Sequence, residues 1–238
     1  MKAELKVTLI EKPGNADGLA GLAASICTAN GNACKSLEHA LDSNHLSVTE
    51  HANFTFYVDG VSRALLAQLT RHRIASFSVQ SQRYVSYESG FGYIVPPAIR
   101  ALGEEAVAEY EGQMAQMQQW YEGWQQKLGN AGEKSNEDAR FVLPGACETR
   151  VLFTMNAREL RHFFALRMCN RAQWEIRAMA QQMFEQVYPV APALFADAGP
   201  GCISGPCPEG GRSCGKLQQM RAERQAFLAK MNGDKPAQ

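Results

Sequence analysis

NFTFYVDGVSRALLAQLTRHRIASFSVQSQR, residues 53–83, changes its period twice. It opens by alternating Phe54, Phe56 and Val58, the spacing of a half-buried strand. Asp59 and Gly60 punctuate that run. VSRALLAQLTRHR then reads as a helix with Val61, Leu65 and Leu69 on one face. Arg71, His72 and Arg73 crowd its C-terminal end. From Ile74 the period returns to two, and an extended Phe77–Arg83 puts Phe77, Val79, Ser81 and Arg83 on one face. Ser78, Gln80 and Gln82 take the other. The final part, RHRIASFSVQSQRY (Arg71–Tyr84), gathers arginine, histidine and serine donors on a strand-like frame.

Outward from this stretch, Leu5–Ile10 reads as a first strand and Gly18–Leu41 as one or two Ala/Leu-rich helices. Glu104–Leu128 is the clearest helix. Its stripe of Val107, Tyr110, Met114, Met117, Tyr121, Trp124 and Leu128 reads as packing, within the chain or against a neighbouring subunit. A second long helix is expected from Asn156, which with Glu159 has the spacing of a capping box. Leu160, Phe164, Arg167, Arg171, Trp174 and Ala178 then share a narrow arc, so two arginines interrupt an apolar stripe. A buried arginine needs a partner. Either a carboxylate pairs with it inside the chain, or Arg167 faces a ligand cavity.

The chain has 238 residues, enough for one large domain or two small ones, with Lys plus Arg and Asp plus Glu balanced at 24 each. No global field attracts nucleic acid or an anionic membrane, so anion recognition must be local. No apolar run approaches the length that spans a bilayer. The opening MKAELKVTLIEKPG lacks the core of a signal peptide, which predicts a cytosolic protein. Of the seven cysteines, Cys202, Cys207 and Cys214 lie in GPGCISGPCPEGGRSCGK, residues 199–216. A metal site is one reading, but no two are spaced CxxC and no histidine lies nearby. A reduced surface loop over 199–215 is expected instead, followed by a C-terminal helix and tail over 216–238, with no metal. Cys147 reads as a buried structural thiol, because nothing around it marks an activated nucleophile.

Arginine suits planar recognition of phosphate. Arg71, Arg73 and Arg83, with the serines between them and Arg140 and Arg158 further on, predict a site for a phosphorylated small molecule. A basic helix end held by its own dipole accounts for Arg71 to Arg73 but not for Arg83. GxGxxG, P-loop, HExxH and GxSxG patterns are absent.

Arg71, His72, Arg73 and Ser81 form the pattern RHRx7S, which resembles the signature of the flavin-dependent thymidylate synthases. NHLSVTEHANFTF (44–56), ARFVLP (139–144) and TMNARELRHFFALRMCNRAQWEIR (154–177) resemble further segments of that family in the same order. The resemblance covers roughly residues 20–190 and implies a single α+β domain, a twisted, largely antiparallel sheet with packed helices. It further implies a homotetramer with active sites at subunit interfaces. The implied reaction is methylation of dUMP to dTMP, with 5,10-methylenetetrahydrofolate as carbon donor and NADPH as reductant through FAD.

On matching positions, the resemblance places dUMP against Gln68, Arg71, Ser81, Gln82, Arg83, Arg140 and Arg167. Arg167 is implied to favour ionisation of the uracil, a sound role for a fixed cation, and Ser81 to hydrogen-bond. FAD is placed against His45, Ser47, Arg71, His72, Arg73, Ile74, Ser78, Val79, Asn156, Arg158, His162 and Arg171. There are departures. Ser78-Val79 stands where many members have Asn-Glu, and Val79 accepts no hydrogen bond through its side chain. His162 and Arg171 stand where Asn and His are common. A family variant acting on another pyrimidine nucleotide or one-carbon transfer therefore stays open. So does a non-catalytic nucleotide- or RNA-binding protein, although the neutral net charge weighs against it.

Overall fold

The structure is a computed structural model and describes residues 1–29 and 31–233; residues 234–238 of the expected tail lie outside them. The fold is α+β, as expected. Four strands, β1 (Lys6–Glu11), β2 (Asn53–Ser62), β3 (Ala75–Val79) and β4 (Glu148–Asn156), form an antiparallel sheet in the order β1-β2-β4-β3. The helices are α1 (Ala16–Thr28), α2 (Ala33–Asp42), α3 (Arg63–Leu69), α4 (Pro97–Arg100) and α5 (Glu104–Lys127). Beyond them come α6 (Glu133–Ala139), α7 (Ala157–Arg167), α8 (Trp174–Val187), α9 (Pro192–Phe195) and α10 (Leu217–Gly233). The chain divides into two compact units, residues 1–6, 57–71 and 77–152 in the first and 7–56, 72–76 and 153–238 in the second. Each boundary falls within a strand or at the Arg71–His72 peptide.

Three expectations are corrected. The strand at Asn53 does not stop at Asp59. Gly60, at φ +66°, carries β2 on to Ser62, and a side chain there would collide with the Glu4 carbonyl. Only glycine meets both demands. Helix α3 therefore starts at Arg63, where the Ser62 hydroxyl accepts the Leu65 N–H at 3.1 Å. The strand expected over Phe77–Arg83 ends at Val79 and gives way to a turn in which Val85 N–H donates to the Ser81 carbonyl at 3.1 Å. Finally, the long helix from Asn156 is two. Helix α7 ends at Arg167, and the Gln173 carboxamide caps a new helix by accepting from Glu175 and Ile176 N–H at 2.9 and 3.1 Å. Arg171 lies in the break and leaves the stripe that contains Arg167.

Strand β4 was not among the expectations, although Thr149, Val151, Phe153 and Met155 alternate inward along it. In the second unit Phe56 and Phe153 stack at 5.5 Å, and the Thr55 and Thr154 hydroxyls meet at 2.8 Å. Helices α7 and α8 supply Leu160, Phe163, Phe164, Met179 and Phe184 to this core. Each such side chain contributes roughly 1.5–3 kcal/mol. Helix α10 is held by Arg224, whose guanidinium lies 3.7 Å from the Phe184 ring centre and donates to the carbonyls of Phe195, Ala196 and Ala198. Burial lowers its pKa to about 10, so it stays charged at neutral pH.

The first unit packs Tyr87, Phe91, Met114, Tyr121 and Cys147 together. The α5 stripe is thus partly packing, as expected, but Trp124 and Leu128 at its end are exposed. A polar network runs through this core. The buried Asn136 amide donates to the Arg83 carbonyl at 3.0 Å and accepts from Gln125 at 2.7 Å and the Tyr121 hydroxyl at 3.2 Å. It pins the Ser81–Tyr84 turn to α5 and α6. Asn136→Ala leaves the Arg83 carbonyl without this donor and takes one acceptor from Gln125 and Tyr121, which costs about 1–3 kcal/mol, a drop of roughly 2–12 °C in a thermal melt. An unchanged melt would show that the network does not hold the turn.

Candidate active site

The first unit carries most of the residues that the resemblance assigns to a nucleotide. Gln68 is half-buried on α3 and Arg71 is exposed just past its end. The Ser81 hydroxyl accepts the Arg83 N–H at 3.2 Å and so closes the turn locally. Arg83 pairs with Glu133 and Glu137, the latter at 3.1 Å, and Arg140 donates to the Glu137 carbonyl at 3.0 Å. Arg83 and Arg140 therefore both bond to α6, with Glu137 contacting each of them. Gln82 is not with them: it is buried, and its amide reaches the Cys147 sulfur at 3.6 Å. Burial pushes the Cys147 thiol up to about 11, which leaves it inert at neutral pH. Ser78 is exposed on β3 and Val79 half-buried beside it.

In the second unit, a cavity of about 670 Å³ opens along α7. Of the residues assigned to FAD, it collects Ile74, Asn156, Arg158 and His162. His45 and Ser47 flank Leu46, which also lines it, and Arg73 is exposed next to Ile74. Arg171 does not join them; it lines a separate, smaller cavity. The Asn156 carboxamide accepts the Glu159 N–H at 2.9 Å, so the cap that starts α7 also stands in the cavity wall. Sequence reasoning missed Glu50 and Arg161. Glu50 is ion-paired with Arg158 at 2.5 Å, and Arg161 is bidentate to Asp197 at 2.6 and 2.7 Å. Burial opposes ionisation of Asp197, but the hydrogen bonds and charge of Arg161 outweigh it and hold its pKa below the usual value.

The other missed residue is Glu159, visible in the sequence only as a capping partner. Its buried carboxylate lies 2.8 Å from His72 Nδ1, and Arg167 Nε donates to His72 Nε2 at 3.0 Å. Hydrogen-bond chemistry fixes the tautomer: Nδ1 carries the proton and Nε2 accepts. The imidazole is packed against Phe163 at 4.8 Å between ring centres. Arg167 thus donates to a neutral partner, and a histidine that a carboxylate orients helps set the plane of its guanidinium. His72, Glu159 and His162 also place ligand atoms within 4.8 Å of one another, the spacing of a metal site. Both nitrogens of His72 are already engaged, so its ring has no lone pair to offer a metal.

Burial lowers the pKa of His72 below its ordinary 6.5; Arg167 and His162 add to this, while the hydrogen bond and charge of Glu159 oppose it. A lowered histidine pKa contributes stability at pH above 6.5 that is lost as pH falls through the folded-state value. His72→Phe keeps the ring but removes the titration. We expect the wild type to be the more stable at neutral pH and its advantage to shrink as pH falls below 6.5. Parallel denaturant titrations across that range check this; a constant difference would sink it.

Comparison with known proteins gives concordant matches. The family model described as thymidylate synthase complementing protein matches residues 8–193. A flavin-dependent thymidylate synthase of Geobacter sulfurreducens is 44% identical over 230 residues, covering 91% of this chain and 97% of that protein. One from Clostridium tetani is 42% identical over 239 residues, with 91% and 96% covered. Among solved structures, a UMP/dUMP methylase, PolB from Streptomyces cacaoi, bound with 5-Br dUMP, superposes with a TM-score of 0.67 at 24% identity. That match covers 81% of this chain and 93% of the other, and is a likeness of fold. The strand-helix-strand unit, the capped helix α7 and these matches along most of the chain lead to one assignment: the chain belongs to the flavin-dependent thymidylate synthase family.

Proposed function

We propose that this protein methylates dUMP to dTMP, taking carbon from 5,10-methylenetetrahydrofolate and reducing power from NADPH through FAD. The observation that carries the proposal is Arg167, a cation fixed by the buried Glu159–His72 pair on the helix whose other residues wall the large cavity. The cavity fits a flavin. Ile74, Leu46 and Ala165 offer apolar surface to a planar ring, and Arg158, Arg161 and His162 offer donors to its polar edge and phosphates. When bound, the flavin supplies the hydride chemistry.

The protein binds and polarises. Arg71, Arg83 and Arg140 hold the nucleotide phosphate, with Glu133 and Glu137 releasing Arg83 to it, and Ser81 hydrogen-bonds. Arg167 stabilises negative charge as it develops on the uracil ring, a term that acts before any reorganisation is needed. His72 acts through Arg167: its side chain is committed to that bond, so its own flavin contact is through the backbone. Asn156, Arg158 and His162 line the flavin cavity, with His45, Ser47 and Arg73 at its approaches. Val79 lacks a polar side chain, but β3 is an edge strand whose outward backbone groups serve instead. Cys147, buried and held as a thiol, supports a route without a cysteine nucleophile.

Active sites are shared between subunits of a homotetramer in this reading, and the exposed Trp120 and Trp124 on α5 offer a face for subunit packing. Among the described residues no helix is long and apolar enough to cross a membrane. A balanced charge and seven unpaired cysteines support a cytosolic enzyme that handles small anions rather than nucleic acid.

The purified protein should show flavin absorption that bleaches with NADPH, and should release tritium from [5-³H]dUMP when the folate is present. A colourless protein that takes up no FAD, or one that releases no tritium, would overturn the reading. Arg167→Ala is expected to stay folded and yellow while turnover falls by roughly 10²–10³-fold or more. Retained dTMP formation would show that the charge is supplied elsewhere.

A further inference from the structure

Four of the seven cysteines line one small cavity. Cys202, Cys207 and Cys214 come from the loop before α10, and Cys169 comes from the break between α7 and α8. The cavity measures about 140 Å³, and Met220 adds a fifth sulfur to its wall, as a thioether. We propose that these four cysteines bind a soft metal centre, an iron–sulfur cluster or a zinc ion, that staples the C-terminal loop to the end of α7.

The argument is one of chemistry and order. Residues 199–216 contain only turns and one short 3-10 segment, with Gly199, Gly210 and Gly215 at positive φ. A loop of that kind has no ladder and little core to define its course, yet it brings three thiols to a fourth that is more than thirty residues away in sequence. Small irregular segments of this sort are commonly fixed by metal binding. Cys202 is buried and lines the same cavity as Cys169, Cys207 and Cys214. A soft cation bound there would hold the sulfurs as thiolates, the ligand form.

A donor is also in place for one ligand. The Asn170 amide points to the Cys214 sulfur at 3.9 Å. Such N–H···S bonds tune metal-bound thiolates. Among the described residues no three of these sulfurs lie within 4.8 Å of one another. A tetrahedral zinc ion needs sulfurs about 3.8 Å apart, whereas a cluster brings its own atoms to fill the middle. A single zinc ion would therefore have to draw the thiols closer together.

The sequence alone argued against a metal, because it showed neither CxxC nor a nearby histidine. Folding supplies what it lacked, the fourth thiol at Cys169. The centre would also set Arg171, which neighbours it and donates to the Arg212 carbonyl at 2.8 Å within the same loop.

The test is elemental analysis of the holoenzyme, grown with iron and zinc and purified without oxygen, together with acid-labile sulfide and flavin content. We expect stoichiometric iron with sulfide, or zinc without it, either of which supports the centre and tells the two apart. Cys207→Ser and Cys214→Ser should each lose the metal, while Cys27→Ser and Cys34→Ser, exposed on α1 and α2, should keep it. In the native wild type, thiol titration should reach Cys27 and Cys34 and spare the four until a chelator is added, a readout independent of whether the variants fold. Metal below stoichiometry in the wild type, metal unchanged by Cys207→Ser, or a disulfide among the four would overturn the proposal. Flavin content and tritium release are read separately, so loss of this centre does not stand or fall with the proposed reaction.

Discussion

A carboxylate taken out of water must find a partner, and Glu159 finds His72 at 2.8 Å. Much else follows from that bond. It decides which nitrogen of His72 carries the proton, which leaves Nε2 to accept from Arg167 and fixes the guanidinium at the end of α7. The start of the same helix is fixed by Asn156, through the Glu159 backbone. Both ends of α7 are therefore tied to one residue, by its N–H at one end and by its carboxylate, through histidine, at the other. The residues between them, Arg161 and His162 among them, face the cavity in a register that cannot slip.

The parts of this that were legible in the sequence are those governed by local pattern. Alternation at Phe54, Phe56 and Val58, the Leu65 and Leu69 stripe, the stripe of α5 and the Asn156 cap all depend on neighbours within a few residues. Gly60 misled because the reason for it lies at Glu4, far away in sequence; read locally, Asp-Gly is a turn. The stripe from Leu160 to Ala178 misled for a different reason. Its period continues through residues 168–173, but Gln173 offers its side chain to the next helix and ends the first. Periodicity shows which residues can share a face, not whether the backbone stays helical between them.

The candidate site was legible in kind rather than in detail. Arginines in an apolar stripe signalled a cation drawn toward the interior that needed a partner, and Arg167, half-buried, is that cation. Its partner was not visible, because a neutral histidine between a carboxylate and an arginine leaves no charge pattern in the sequence. Gln82 shows the limit from the other side: two residues in the same turn, Gln82 and Arg83, point to the core and to α6, although the resemblance assigned both to the nucleotide.

Arg224, which fastens α10, has a consequence for how the second unit comes apart. Its acceptors are peptide carbonyls, which do not titrate, and its pKa of about 10 keeps the donor charged throughout acid. The Arg161–Asp197 pair holds until pH falls below the ordinary aspartate value of 3.8. The Glu159–His72–Arg167 chain weakens as His72, whose pKa burial lowers from the ordinary 6.5, takes up a proton. Protonation of His72 below 6.5 therefore removes one acceptor from Arg167 while α10 keeps its non-titrating anchor, so loosening at the end of α7 and undocking of the C-terminal helix are separate events along the pH axis.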